Sequence, residues 1–215
     1  MGMVRMHLTP KAEATRLHIL DTGYALVVRK GFSAIGLQEI LSAASVPKGS
    51  FYHYFASKEA FGTALLTHYV EGYAERLGRL LSRPGSGRER LMRYWHAWIA
   101  DPDDADLPGW AEGCLVVKLS AEVADLSDDM RLVLAEGVRR LIARTAALIA
   151  EGRADGSLPA GAEAHALAQA LYQMWLGAAL VSKLTRTPDP MTRALSATEQ
   201  LLACTAGAGV ERTDR

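Results

Sequence analysis

The chain of 215 residues has two cysteines, no long apolar run and no surplus of charge of either sign. Cys114 and Cys204 lie 90 residues apart, with neither the density of a disulfide scaffold nor the CxxC spacing of a zinc site, which fits a reducing, cytoplasmic setting. His96 and His165 are isolated from acidic or thiol partners, so neither a metal nor a cofactor is expected. No segment approaches the roughly 20 apolar residues of a membrane span, and the start, MGMVRMHLTPKAEA, has no apolar stretch of signal-peptide length. GxSxG, HExxH, Walker and dinucleotide motifs are missing as well, which leaves a thiol-dependent activity at Cys114 as the only enzymatic reading. Stretches of alternating β-branched residues, the mark of half-buried strands, do not occur.

What is present is helical periodicity along nearly the whole length, predicting an all-α fold of about nine helices. The first opens after Pro10 and runs to Lys30, with Leu17, Leu20, Tyr24, Val27 and Val28 on one face and Gly31 as its stop. A short second helix covers Leu37–Ala44, and a third spans about Pro47–Phe55, because Pro47 disfavours helix at Val46 but suits a first turn. Ser57 caps a fourth helix from Lys58 to about Leu80, and Ser86 with Glu89 has capping-box spacing before a fifth. Beyond the acidic loop DPDDADLPGWAEG, helices are predicted at about 113–124, 128–153, 162–183 and 191–205. The domains expected are residues 1–57, residues 58–207 and a flexible tail at 208–215.

Charge cancels overall, with 24 Lys and Arg against 24 Asp and Glu, so the chain is no polycation that coats nucleic acid indiscriminately. Its distribution is uneven: residues 1–60 hold seven basic side chains and four acidic ones. Within VPKGSFYHYFASKEAF, residues 46–61, the rings of Phe51, Tyr52, Tyr54 and Phe55 crowd between Lys48 and Lys58. Helical spacing sorts them. Phe51 and Phe55 are i,i+4 partners suited to burial, which turns Lys48, Ser50, Tyr52 and His53 elsewhere. Burying Tyr52, His53 and Lys58 instead would strand polar groups at a cost of a few kcal/mol each. Two short helices joined by the SAASVP turn have the form of a helix-turn-helix, whose second helix enters the DNA major groove. Hydroxyls and ammoniums there suit phosphates, and Ser, His and Lys at the helix start suit base edges.

The stretch GLQEILSAASVPKGSFYHYFASKEAF resembles the TetR family of bacterial repressors, in particular its Lys-Gly-x-x-Tyr-His-Tyr-Phe-x-x-Lys run. That resemblance implies that Tyr52 and Lys58 hold phosphates, that Gln38, Lys48, Ser50 and His53 read or approach bases, and that Tyr54 lies at the groove edge. Gly36 stands where the family often has a backbone-contacting Thr. The family also implies a homodimer joined through the last two helices, here ALAQALYQMWLGAAL and MTRALSATEQLLACTA, on double-stranded operator DNA. The alternative for those two helices is that they complete the core of one subunit.

The stretches EGCLVVKLSAEVADLSDDMR and MWLGAALVSKLTR resemble an electrophile- and oxidant-sensing subgroup of that family. Placed in the first turn of a helix begun after Gly113, Cys114 gains from the helix dipole, with Lys118 at i+4. The resemblance makes Cys114 the sensing thiol and Lys183 a second candidate amine, able to stabilise a thiolate or capture an oxidised sulfur. Against this stands the lone cysteine as a small buried hydrophobe, the reading preferred for Cys204. Trp98, Trp110, Tyr172 and Trp175 are candidates to line the ligand cavity that the resemblance implies, the alternative being that most of them are core, with Trp98 and Trp175 facing inward. A repressor released by a reversibly bound small molecule, with Cys114 a bystander, is the alternative function.

Overall fold

The computed structural model describes residues 9–104 and 106–204; the expected tail at 208–215 lies outside the described residues. Among the described residues there are nine helices: α1 (Pro10–Lys30), α2 (Leu37–Ala43), α3 (Lys48–Tyr54), α4 (Lys58–Leu81), α5 (Gly87–Ile99), α6 (Leu115–Leu126), α7 (Asp128–Ala154), α8 (Ala164–Thr185) and α9 (Asp189–Ala203). The all-α expectation holds, the one extended pairing among the described residues being an isolated bridge between Ala100 and Pro108. None of these helices is long and apolar enough to cross a membrane. The described residues of Met1–Gly72 and Lys118–Ala135 form one compact unit, and those of Tyr73–Val117 and Glu136–Arg215 a second.

In the first unit, α1 opens with Thr9, whose side chain accepts the Ala12 amide, and with Pro10 at a position that needs no donor. It ends at Gly31, whose φ of 84° is one glycine adopts without strain. Ile19, Leu20, Leu26 and Val27 are buried from α1, Ile40 and Leu41 from α2, Phe51 from α3 and Phe61, Leu65 and Leu66 from α4. At Gly23 a Cβ would come within 2.3 Å of the Phe61 ring, so the missing side chain sets how closely α1 approaches α4. Ser57 caps α4 through the Ala60 amide at 3.0 Å. Ser127, ahead of α7, accepts the Met130 amide and donates to Glu59 at 2.7 Å.

The second unit is built on an aromatic layer. Trp95 of α5 stacks on Trp175 of α8 at 4.9 Å with planes 11° apart, and Trp98 meets Tyr94, Tyr172 and Trp175 edge-on. Quadrupoles favour such offset and edge-to-face pairs beyond their area burial. Trp175 Nε1 donates to Thr198 Oγ1 of α9 at 2.8 Å, which satisfies a donor with no access to water. The Ser86–Glu89 capping box opens α5. Glu163, rather than one of the usual short capping residues, accepts the His165 and Ala166 amides ahead of α8. The α8 helix closes on Arg186 in left-handed geometry, φ 54° and ψ 37°.

Candidate nucleic-acid interface and thiol site

The α2–α3 connection is a tight turn. Val46 donates to Leu41 O at 3.1 Å around Ser45, which has φ 53°, and α3 then starts one residue after Pro47. Phe51 is 0% exposed and Phe55 2%, each packed against the Phe61 ring. With that face inward, Lys48, Tyr52 and His53 are exposed, Tyr52 at 46%, while Ser50 and Tyr54 are half-buried. Lys48 Nζ lies over the Tyr52 ring at 5.9 Å, and His53 sits edge-on to Tyr54 at 4.9 Å. Gln38 is exposed on α2. Lys58, half-buried at the start of α4, lies 4.8 Å over the Phe32 ring with its ammonium 3.5 Å from Ser33 O. An amine, a phenol and an imidazole therefore stand on one exposed helix face that is held from behind by phenylalanines.

Cys114 is 4% exposed and Cys204 is exposed; neither is in a disulfide. The helix expected to include Cys114 in its first turn starts one residue later, at Leu115. The reason is local: the Cys114 amide donates to Ala111 O at 3.3 Å, so a non-helical turn persists through the cysteine. Lys118 is exposed on α6. Cys204, expected inside the last helix and buried, caps the end of α9 and is exposed instead, because helical geometry stops at Ala203.

The turn that presents Cys114 is pinned from several sides. Trp110 donates its backbone amide to Ala97 O at 2.8 Å and its indole to Asp101 at 3.2 Å, and the Arg76 guanidinium lies 4.1 Å over its ring while pairing with Asp101. The Asp103 amide, then the Arg76 charge and the Trp110 indole, hold the Asp101 carboxyl below its usual range against the opposing effect of burial. Burial, and after it the nearby Cys114 sulfur, push the phenols of Tyr73 and Tyr172 upward. Tyr73 in turn accepts from Trp98 Nε1 at 3.2 Å and donates to the Tyr94 hydroxyl at 3.4 Å.

Lys183 donates to Glu112 O at 2.8 Å, two residues before the thiol. Beside this link opens a cleft of about 500 Å³, lined by Trp98, Ile99 and Ala111 together with Ala179, Lys183, Arg186 and Met191 among others. All four aromatic candidates are buried; Trp98, at 2% exposure, lines the inner end of this cleft, while Trp110, Tyr172 and Trp175, at 4%, 2% and 0%, are not among its lining residues. Among the described residues no cluster of three or more His, Cys, Asp or Glu could hold a metal ion.

Residues 19–65 match the model of the tetR family of bacterial regulatory proteins, and residues 87–198 that of a tetracyclin repressor-like C-terminal domain. The second match alone spans half of the chain. The chain belongs to the TetR family. It is 43% identical over 190 residues to the transcriptional repressor NemR of Escherichia coli, covering 88% of this chain and 94% of that one. To the transcriptional regulator AcuR of Cereibacter sphaeroides it is 38% identical over 185 residues, 85% and 82% of the two chains. The crystal structure of the reduced form of Escherichia coli NemR superposes with a TM-score of 0.79 at 42% identity, covering 90% of this chain and 100% of that one.

Within this TetR-family fold, two features have no local sequence signal. Glu122 of α6 accepts the backbone amides of Phe32, at 3.2 Å, and Ser33. The Arg76–Trp110–Asp101 cluster joins residues 25 and 9 positions apart at its two hydrogen bonds to Asp101. A lone Glu on a helix or a Trp in an acidic loop points to neither, and only the folded arrangement identifies them.

Proposed function

We propose that the chain is a repressor that binds a pseudo-palindromic operator as a homodimer and lets go when Cys114 reacts with an electrophile or oxidant. The observation that carries the DNA-binding part is the two-faced α3, with Phe51 sealed and Lys48, Tyr52 and His53 exposed. In this reading Tyr52 and Lys58 hold phosphates, Gln38, Lys48, Ser50 and His53 meet base edges, and Tyr54 sits at the groove wall. Two copies place their recognition helices about 34 Å apart, one turn of duplex. For dimerisation, α8 and α9 carry Leu180, Val181, Leu184 and Leu201 at 50%, 45%, 77% and 42% exposure, large apolar side chains that a second copy would cover. The expected setting is the cytoplasm, and no catalytic turnover is assigned.

The thiol reading rests on the pinned turn around Cys114 and on its similarity to NemR. The sulfur loses its proton to solvent and adds to the electrophilic carbon of an enone or quinone, and the adduct takes a proton back from water. Lys183, held at the carbonyl two residues away, is the amine assigned to the site ahead of Lys118. An adduct does not fit the buried volume of a thiol, and strain of several kcal/mol suffices to move a bound population to a free one.

The test is operator selection at stated salt, followed by treatment with a quinone or hypochlorite. Wild-type protein is expected to lose binding in step with modification of Cys114, followed by peptide mass, and Cys114→Ser, which keeps the exposed Cys204, to stay bound. Equal release of that variant would remove the thiol reading. A second reading, release by a reversibly bound small molecule, is favoured by the cleft beside Trp98 and Lys183.

A further inference from the structure

The cleft at the end of α5 has a two-sided lining of which the thiol reading uses Lys183 alone. Trp98, Ala179 and Met191 give it apolar walls, Lys183 and Arg186 bring two cations, and Glu112 is the one carboxylate among its lining residues. Its net charge is thus positive, and its volume of about 500 Å³ falls in the range of sites for small organic molecules. Residues on a helix advance by about 100° each, which sets Ala179 and Lys183 about 40° apart on α8, and Arg186 follows just past the helix end.

Two details point to the cations as ligand groups. Arg186 sits at φ 54°, a backbone geometry that glycine adopts without steric penalty and arginine does not. The chain thus keeps a guanidinium where the fold alone favours glycine. Lys183 has three N–H donors, and one of them meets Glu112 O at 2.8 Å. A guanidinium fork and an ammonium beside an indole wall match a carboxylate joined to an apolar body.

We propose that this cleft binds an amphipathic organic acid, its carboxylate between Lys183 and Arg186 and its apolar body against Trp98 and Met191. The proposal rests on the second reading above and gives that reversibly bound effector a chemical class. It also supplies a route to the thiol. A carboxylate that draws Lys183 toward itself weakens the hold on the Glu112 carbonyl, in the turn that leads into Cys114.

The test uses the full chain without DNA, with phenylbutyrate and its amide as probes, read by calorimetry and tryptophan fluorescence. The acid is expected to bind at one saturable site per chain, at least tenfold tighter than the amide. Lys183→Gln and Arg186→Gln should each weaken the acid at least tenfold and the amide less than twofold, with Lys183→Arg restoring most of the loss. Arg186→Gly should lose the acid while raising Tm, two opposite effects that a merely structural arginine would not produce. Cys114→Ser should bind the acid as the wild type does. Equal affinity for acid and amide, Gln variants with unchanged acid binding, or no saturable binding overturns the proposal. Adding operator DNA separates the two readings. Selective acid binding that leaves the operator complex intact keeps the site and removes the effector reading, whereas release by acid and amide alike keeps an effector and removes this ligand class.

Discussion

Glu122 accepts a hydrogen bond from the backbone amide of Phe32, 90 residues earlier in the chain, at 3.2 Å. The Ser33 amide donates to the same carboxylate. Both amides lie just past Gly31, where α1 has ended and offers no acceptor, so one side chain of α6 satisfies a turn that otherwise depends on water. Burial alone would raise the Glu122 carboxyl, but the hydroxyl and amide of Ser33, the Phe32 amide and the Lys58 ammonium outweigh it and hold the pKa below 4.5.

A depressed carboxylate contributes stability above its unfolded pKa and loses it as pH falls through the folded value. Glu122→Gln is therefore expected to destabilise the protein at pH 7 by about 1–2 kcal/mol, since bonds to a charged acceptor become bonds to a neutral one. The gap should narrow on acidification from about pH 4.5 downward as the wild type loses its charge. Urea titrations at neutral and acidic pH read both effects; a difference independent of pH would contradict this account.

Ser45 offers a gain rather than a loss. At φ 53° its Cβ is strained by about 1–2 kcal/mol, while glycine would give back roughly 0.5–1 kcal/mol through the freedom of the unfolded chain. Ser45→Gly is expected to stabilise the fold by about 0.5–1 kcal/mol, seen as a higher urea midpoint at unchanged m-value. A lower midpoint would show that the serine side chain contributes something the turn geometry does not reveal.

The ends of helices were readable where a short polar residue or glycine marks them. Ser57, the Ser86–Glu89 pair and Gly31 all act at the positions their spacing indicated. Where those signals are missing, the boundaries shifted: α8 starts at Ala164 behind a glutamate cap, and α9, with no side-chain cap, opens at Asp189, ahead of the expected 191. Gly113 reads as a helix start, yet the turn from Ala111 to Cys114 delays it, because one backbone hydrogen bond outweighs the propensity of the apolar residues that follow. The two faces of α3 follow from i,i+4 spacing alone. The position of Lys58 over Phe32, by contrast, and the bond from Glu122 to Phe32, join segments far apart in sequence, and no local pattern encodes them.

In the second unit, the bond from Trp175 Nε1 to Thr198 Oγ1 joins two residues that are both 0% exposed. Thr198→Val keeps the shape and removes the acceptor, leaving a buried donor unpaired at a cost of about 1–3 kcal/mol. In a Trp175→Phe background the donor is already gone, so the same Thr198→Val change should cost much less. A double-mutant cycle by urea unfolding measures the difference. Additive losses would mean that the hydroxyl matters for its bond to Ala194 O, at 2.7 Å, rather than for the indole.

On α3, the same helix should yield three distinct outcomes from three neighbouring substitutions. Phe51→Ala empties a site that is 0% exposed and is expected to destabilise the fold by about 3–5 kcal/mol, with DNA binding lost only through unfolding. Tyr52→Phe removes one exposed hydroxyl. The fold is unaffected, and operator affinity should fall by about 1 kcal/mol for all sequences alike, with an unchanged salt slope because no charge is lost. Lys48→Ala removes an exposed ammonium at the start of the helix, where it can reach a base edge, so the loss of about 1–3 kcal/mol should be accompanied by relaxed preference at one operator position. Binding isotherms for operator and mismatched duplexes across a salt series distinguish the three. If Tyr52→Phe and Lys48→Ala both left operator affinity and salt slope as in the wild type, the exposed face of α3 would not be the surface that meets DNA.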